Sequence, residues 1–175
     1  MNENVSADAL KFTLKTTFGY LDFRQGQLEI MERILANENI LAVMPTGAGK
    51  SLCYQLPAII SKRLTIVVSP LVSLIDDQAK GLKENGVEVA RIHSGQTYEV
   101  NVENWKLFST GVSKILYLSP ERLMQDRMLS ALKQCSIGTF VIDEAHCISR
   151  WGAAFRPDYE ALSKLKDIFP EANID

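Results

Sequence analysis

Cysteine and histidine are scarce in this chain, at three and two among 175 residues. Cys53, Cys135 and Cys147 lack the short paired spacing of a zinc site, and His93 and His146 are too few to complete one. Structural zinc is therefore not expected. An odd, unpatterned set of thiols also argues against a disulfide framework and suggests reduced side chains in a cytosolic protein. No apolar run approaches the ~20 residues that cross a bilayer. The opening Met1-Asn2-Glu3-Asn4 has neither the basic nor the apolar region of a secretory signal. A membrane partner is not expected. Basic excess is missing too: 19 Lys and Arg face 21 Asp and Glu, a net charge of −2. Net charge therefore gives no argument for nucleic-acid binding, and any such surface has to be a local groove. Repeats, low-complexity tracts and linker-like stretches are absent from the sequence.

What the chain does have is 46% apolar residues, enough to build one globular domain over residues 1–175. Short apolar runs at 40–44, 64–69, 87–92, 114–118 and 137–142 read as strands. Helical spacing separates them: Leu71, Leu74, Ile75, Ala79 and Leu82, then Val102, Trp105 and Phe108. Pro120 opens a further helix whose apolar stripe is Leu123, Met124, Met128, Leu129 and Leu132. Two helices precede the first strand, one with Leu10, Leu14 and Phe18, the other with Leu28, Met31, Ile34 and Leu35. This alternation predicts an α/β fold, a mostly parallel sheet with helices on both faces. Ligands of such sheets bind beyond the carboxyl ends of the strands.

The chemistry begins at Leu41-Ala-Val-Met-Pro-Thr-Gly-Ala-Gly-Lys-Ser51. An apolar run leads into a turn, and the turn leads into a helical stretch from Leu52 to Ile60. Glycines let backbone N–H groups curl around an anion, and the helix behind them directs its free N–H groups to the same place. Thr46, Gly47, Ala48, Gly49, Lys50 and Ser51 are the candidate phosphate-binding residues. Lys50 suits the terminal phosphates and the Ser51 hydroxyl suits Mg²⁺. The strict motif wants a glycine where Met44 stands. The other half is Val141-Ile142-Asp143-Glu144-Ala145-His146. At the tip of a strand, Asp143 would hold Mg²⁺ and Glu144 would orient and deprotonate the water attacking a γ-phosphate. Together the two segments predict a P-loop nucleoside triphosphatase.

Further segments fall in a recognisable order: Phe18-Gly-Tyr-Leu-Asp-Phe-Arg-Gln-Gly-Gln27, Ser69-Pro-Leu-Val-Ser-Leu-Ile-Asp-Asp-Gln78, Leu118-Ser-Pro-Glu-Arg-Leu123, and Asp143-Glu-Ala-His-Cys-Ile-Ser149 running on through Trp151-Gly152 to Phe155-Arg156-Pro157. Over nearly its whole length the chain resembles the first motor domain, a RecA-like lobe, of a RecQ-type DNA helicase. The resemblance implies ATP and Mg²⁺ as cofactors, and single-stranded or partly duplex DNA as partner. It also implies 3′-to-5′ translocation in repair or recombination and a cytoplasmic setting in a bacterial cytosol or nucleoid. It gives Gln27 a role on the polar edge of adenine, selecting ATP over GTP, with Tyr20 stacking on the base and Arg24 supporting the pocket. Phe18 and Phe23 are read as core. Trp151, Phe155 and Arg156 suit single-stranded bases and their phosphates, and His146 would link the carboxylates to that loop. The chain departs from the family pattern at Arg150 and at Ala153-Ala154.

Ser69, Ser73 and Gln78, the Ser94-to-Thr97 turn, and Ser119 with Arg122 are read as helix caps and solvated groups as readily as DNA contacts. Lys62, Arg63, Lys80 and Lys83 read as surface, and Trp105 as core. Motors of this family place ATP between two lobes, and the second supplies arginines to the transferring phosphoryl group. That lobe and the zinc and winged-helix regions are not in these residues, so the chain is expected to bind nucleotide but hydrolyse it feebly. A stand-alone nucleotide- or DNA-binding module, or a lobe of an RNA helicase, are the alternative readings.

Overall fold

In the computed structural model, residues 7–146 and 156–175 are described, with Arg156 and Asp158 described by their backbone alone. Helix α1 (Ala7–Phe18) buries Leu10 and Leu14, one turn apart. Helix α2 (Gln27–Leu35) buries Gln27, Met31 and Ile34. Helix α3 (Lys50–Ile60) buries every residue from Cys53 to Ala58. It is apolar nearly all round because it is enclosed on both sides: Leu56 joins Leu10, Leu14 and Met31 outside, while Tyr54 and Ala58 face the sheet.

The sheet consists of β1 (Leu64–Val68), β2 (Ala90–Ile92), β3 (Ile115–Leu118), β4 (Ile137–Ile142) and β5 (Asn173–Ile174), in spatial order β2-β3-β1-β4-β5. All the pairings are parallel. Residues in register share a face. Val67 pairs with Tyr117 and Val141, and this row packs with Ile115 against α3 and α4 (Val72–Glu84) through Tyr54, Ala58, Ile75, Ala79 and Leu82. Ile66 pairs with Leu116 and Phe140. That row, with Val68 and Leu118, packs on the other face against Phe108 of α5 (Tyr98–Ser109), Leu132 of α7 (Asp126–Leu132), and Tyr159 of α8 (Arg156–Ala161). Leu165 of α9 (Leu165–Ile168) joins the same cluster. The two-faced parallel sheet predicted from the apolar runs is present. Phe23 and Trp105 pack against core clusters, as expected, and Phe18 packs between two of them.

Three local readings change. Residues 40–44 do not form a strand: Leu41 is 85% exposed and Val43 is 90% exposed. A strand needs a backbone ladder, and the neighbouring β5 has only two residues. Side chains hold this segment instead. Ile40 N–H donates to Asp175 Oδ1 at 3.1 Å, Ile174 N–H to Asn39 Oδ1 at 2.9 Å, and Asn173 Nδ2 to the Glu38 carbonyl at 3.3 Å. The helix opened by Pro120 is interrupted: α6 covers Pro120–Leu123, and extended Gln125 starts α7 anew. Leu123 and Leu132 are both buried despite the break. Arg63 is not simple surface. Its guanidinium donates to the carbonyls of Ile137 and Glu171, tying the start of β4 to the segment before β5. Gly138 makes room for it, since a Cβ there would sit 2.8 Å from Arg63 Cβ.

Burial pushes the Asp175 carboxyl up to about 6 from 3.8, against the hydrogen bonds it accepts from Asn173 and Ile40. The native chain therefore holds this proton where the unfolded chain has lost it. The stability is fully present below pH ~4 and is lost as pH rises through ~6, by on the order of 2–3 kcal/mol. Asp175→Asn should flatten that part of a urea-denaturation pH profile. The slope is the readout, because the amide can keep only one of the two accepted hydrogen bonds. An unchanged slope would remove Asp175 as its cause.

Candidate active site

The turn between Met44 and α3 is built by two glycines in the left-handed region, Gly47 at φ 80° and Gly49 at φ 81°. Ala48 N–H closes the turn onto the Pro45 carbonyl at 3.1 Å. Gly49 caps α3 without any side-chain hydrogen bond, which leaves the first-turn N–H groups directed at the loop. Its lack of a side chain matters twice, since a Cβ there would also sit 2.5 Å from Gln27 Nε2. Thr46 and Gly47 are exposed, while Ala48, Lys50 and Ser51 are half-buried. Met44, which stands where the strict motif has glycine, places its sulfur 3.8 Å from Cys53 Sγ. Burial raises that thiol to about 11, so it is an inert packing group.

Gln27, Arg24 and the loop form one hydrogen-bonded unit. Gln27 is 2% exposed. Its Oε1 accepts from Arg24 N–H at 2.8 Å, and its Nε2 donates to the carbonyls of Gly49 at 3.1 Å and Ala48 at 3.4 Å. The Arg24 guanidinium donates to the Gly47 carbonyl. Tyr20 is 55% exposed at the rim. These residues open into a cavity of about 370 Å³ that Ser51 also lines. Asp77 and Gln78 of α4, Asn85 at its C-cap and Gln55 of α3 also line it. Neither Gln55 nor α4 is among the base-pocket residues expected from the sequence. A signal existed: Gln55 interrupts the otherwise apolar Leu52-to-Ile60 run, and a buried carboxamide needs partners.

Asp143 follows β4, and its N–H donates to the Val68 carbonyl at 2.9 Å, prolonging the pairing with β1. Its Oδ1 accepts from Glu144 N–H at 2.9 Å, and its Oδ2 lies 3.5 Å from the Tyr54 hydroxyl. Burial holds the Asp143 carboxyl above the usual carboxylate range, reinforced by the charge of Glu144. The Glu144 N–H, the Lys50 ammonium and the Tyr54 hydroxyl oppose that rise. Lys50 thus acts electrostatically on the carboxylate from the start of α3. Glu144 has φ 55°, a left-handed conformation that costs a non-glycine residue about 1 kcal/mol or more. His146 Nε2 lies 3.2 Å from Glu144 Oε2. A desolvated carboxylate beside a second carboxylate is short of positive charge, which is the condition a divalent cation satisfies.

Among the other candidates, Gln78 Oε1 accepts from Gln55 at 2.8 Å and Thr97 caps α5 by accepting from Val100 N–H. Gln96 bonds Arg91 and Asn101, and Arg122 donates to Gln125. Ser69 is buried. Trp151 and Phe155 lie outside the described residues, as do Arg150 and Ala153-Ala154, and Arg156 is placed only as the first residue of α8.

Residues 24–174 match the family model of the DEAD/DEAH box helicases. The chain is 44% identical over 161 residues to the ATP-dependent DNA helicase RecQ of Pasteurella multocida, covering 92% of this chain and 26% of that protein. It is 44% identical over 157 residues to the probable ATP-dependent DNA helicase RecS of Bacillus subtilis, covering 90% and 32%. It thus spans about a quarter to a third of the length of these curated relatives. In fold it is similar to a hypothetical ATP-dependent RNA helicase from Sulfolobus tokodaii, with a TM-score of 0.72, 20% identity, and coverage of 97% of this chain and 49% of the other. It is likewise similar to the DUF1998 helicase MrfA bound to DNA, with a TM-score of 0.73, 20% identity, and coverage of 100% and 26%. The chain belongs to the DEAD/DEAH box helicase family, as a motor domain of the RecQ type.

Proposed function

We propose that residues 1–175 form one RecA-like lobe that binds Mg·ATP in a 3′-to-5′ DNA helicase acting in repair or recombination in the cytoplasm or nucleoid. The observation that carries this reading is the convergence of the Gly47–Gly49 turn, the N-terminus of α3, and Asp143 under the field of Lys50. The donor set fits the cofactor: free N–H groups and a lysine for phosphate oxygens, and a hydroxyl and a carboxylate for the cation. Ser51 and Asp143 would hold Mg²⁺, which supplies charge neutralisation at the phosphates.

This chain's own residues then divide the work. Thr46, Gly47, Ala48, Gly49 and Lys50 bind and orient the phosphates. Glu144 accepts the proton of the attacking water, with its carboxylate oriented by His146. Tyr20 stacks on the base and Arg24 supports it. Gln27 reads the adenine edge by exchanging one of its present partners, the Arg24 N–H or the Gly49 carbonyl. Base binding and loop shape are thereby competitors for one carboxamide. Trp151, Phe155 and Arg156 contact single-stranded DNA, and His146 passes that contact to Glu144. A second lobe completes the hydrolytic site, so the chain alone turns over slowly.

Three outcomes are expected. Lys50→Ala should weaken Mg·ATP binding by calorimetry at least about tenfold, the scale of a charged hydrogen bond. Unchanged binding would refute the phosphate-loop assignment. GTP should compete more weakly than ATP, and Gln27→Ala should erase the difference. Equal GTP and ATP affinity in the wild type removes the base role of Gln27. ATP hydrolysis by residues 1–175 should be slow and respond little to single-stranded DNA. Vigorous unwinding by the chain would show that no second lobe is required.

A further inference from the structure

Helix α3 carries two polar side chains in its most buried stretch, Tyr54 at 5% and Gln55 at 7% exposure, and both face Tyr117 of β3 at 0%. Packing alone does not call for them. The cluster around Tyr54 and Tyr117 is Val67, Ile75, Ala79 and Val141, which a phenylalanine at either position would fill equally well. Two phenols and a carboxamide inside such a cluster are costly unless each is hydrogen-bonded.

Here each of the three has a polar partner. Gln55 Nε2 donates to Gln78 Oε1 at 2.8 Å and to the Tyr117 hydroxyl at 3.0 Å. The Tyr117 hydroxyl, having accepted from Gln55, interacts electrostatically with the Tyr54 hydroxyl. Tyr54 in turn points its proton at Asp143 Oδ2 at 3.5 Å. An ionised carboxylate only accepts, so the phenol is the donor there. The two ends of this cluster sit at the two halves of the site. Gln55 and Gln78 line the base cavity, and Asp143 carries the candidate cation position. Tyr54 also interacts electrostatically with the Ser51 hydroxyl, so one phenol is coupled to both groups assigned to the cation. Glu144 N–H holds Asp143 Oδ1 and Tyr54 approaches Oδ2, which fixes the plane of the carboxylate at both oxygens.

We propose that Tyr54 is a positioning residue for the cation-binding pair Asp143 and Ser51, itself oriented through Tyr117 and Gln55 by Gln78 in the wall of the base cavity. The proposal rests on the Mg·nucleotide reading above. Partners that orient metal ligands in this way are worth about tenfold or more in metal affinity, and the 3.5 Å contact places this one at the lower end.

The test uses the 175-residue chain with Mn²⁺ as probe, its uptake in the presence of ATP followed by electron paramagnetic resonance. Affinity for metal-free ATP in EDTA and thermal melting are measured alongside. Tyr54→Phe should weaken Mn²⁺ binding about fivefold to tenfold, while metal-free ATP affinity stays close to wild type and melting falls no further than in Tyr117→Phe. Tyr117→Phe, which removes a hydroxyl that does not touch Asp143, should shift Mn²⁺ affinity in the same direction by less. It keeps the idea testable should Tyr54→Phe fail to fold. Wild-type Mn²⁺ affinity in both variants, or losses equal with and without cation, would overturn the positioning role alone. A wild-type chain that takes up neither Mn²⁺ nor ATP would overturn the nucleotide reading, and this proposal with it.

Discussion

The parallel pairing of β1 with β4 continues one hydrogen bond past the strand, from Asp143 N–H to the Val68 carbonyl at 2.9 Å. That bond places a carboxylate at the carboxyl edge of the sheet, beside the N-terminus of a helix packed on the same strands. Much of the site depends on it. Lys50 acts on Asp143 because α3 lies across β1, β3 and β4 through Tyr54 and Ala58, which pack with Val67, Tyr117 and Val141. The glycine turn faces a carboxylate for the same reason. Dry surroundings raise the proton affinity of Asp143 and Glu144 adds to it, so the carboxylates form a site that positive charge relaxes.

Around this pairing, two buried carboxamides, Gln27 and Gln55, turn their polar groups toward the site. Gln27 spends both ends of its carboxamide on the backbone of residues 24, 48 and 49. Gln55 spends both of its amide hydrogens on Gln78 and Tyr117. Base cavity and phosphate turn are thus joined by hydrogen bonds as well as by proximity. A change at one has a physical route to the other without any movement of the sheet. Glu144 is the one described site residue held in a left-handed conformation without being glycine, and its carboxylate lies 3.2 Å from His146 Nε2.

Much of the architecture was legible because parallel strands buried on both faces leave continuous apolar runs, and four of the five runs became strands. The fifth, 40–44, has the composition of a strand but not its environment. Hydrogen-bond ladders are non-local, and two-residue β5 offers too little backbone beside it, so Leu41 and Val43 remain exposed. The split between α6 and α7 was invisible for a related reason, since Leu123 and Leu132 keep a helical apolar stripe across a backbone that turns at Gln125. Arg63 read as surface because nothing local reveals that Gly138 leaves space for it and that two carbonyls await its guanidinium.

The glycine turn, the helix behind it and the paired carboxylates are local chemistry. Their spacing along the chain follows from how few residues a phosphate turn or strand tip can use, so their identity is written in consecutive letters. What only the folded chain decides is which distant groups meet. Gln27 is placed against Gly49, α4 comes to line the base cavity, and Tyr54 and Tyr117 lie between Gln55 and Asp143. These juxtapositions arise from crossover connections and strand order, which bring residues tens of positions apart within hydrogen-bonding distance. Burial then makes each such bond obligatory, because an interior polar group that missed its partner would cost more than the packing around it returns.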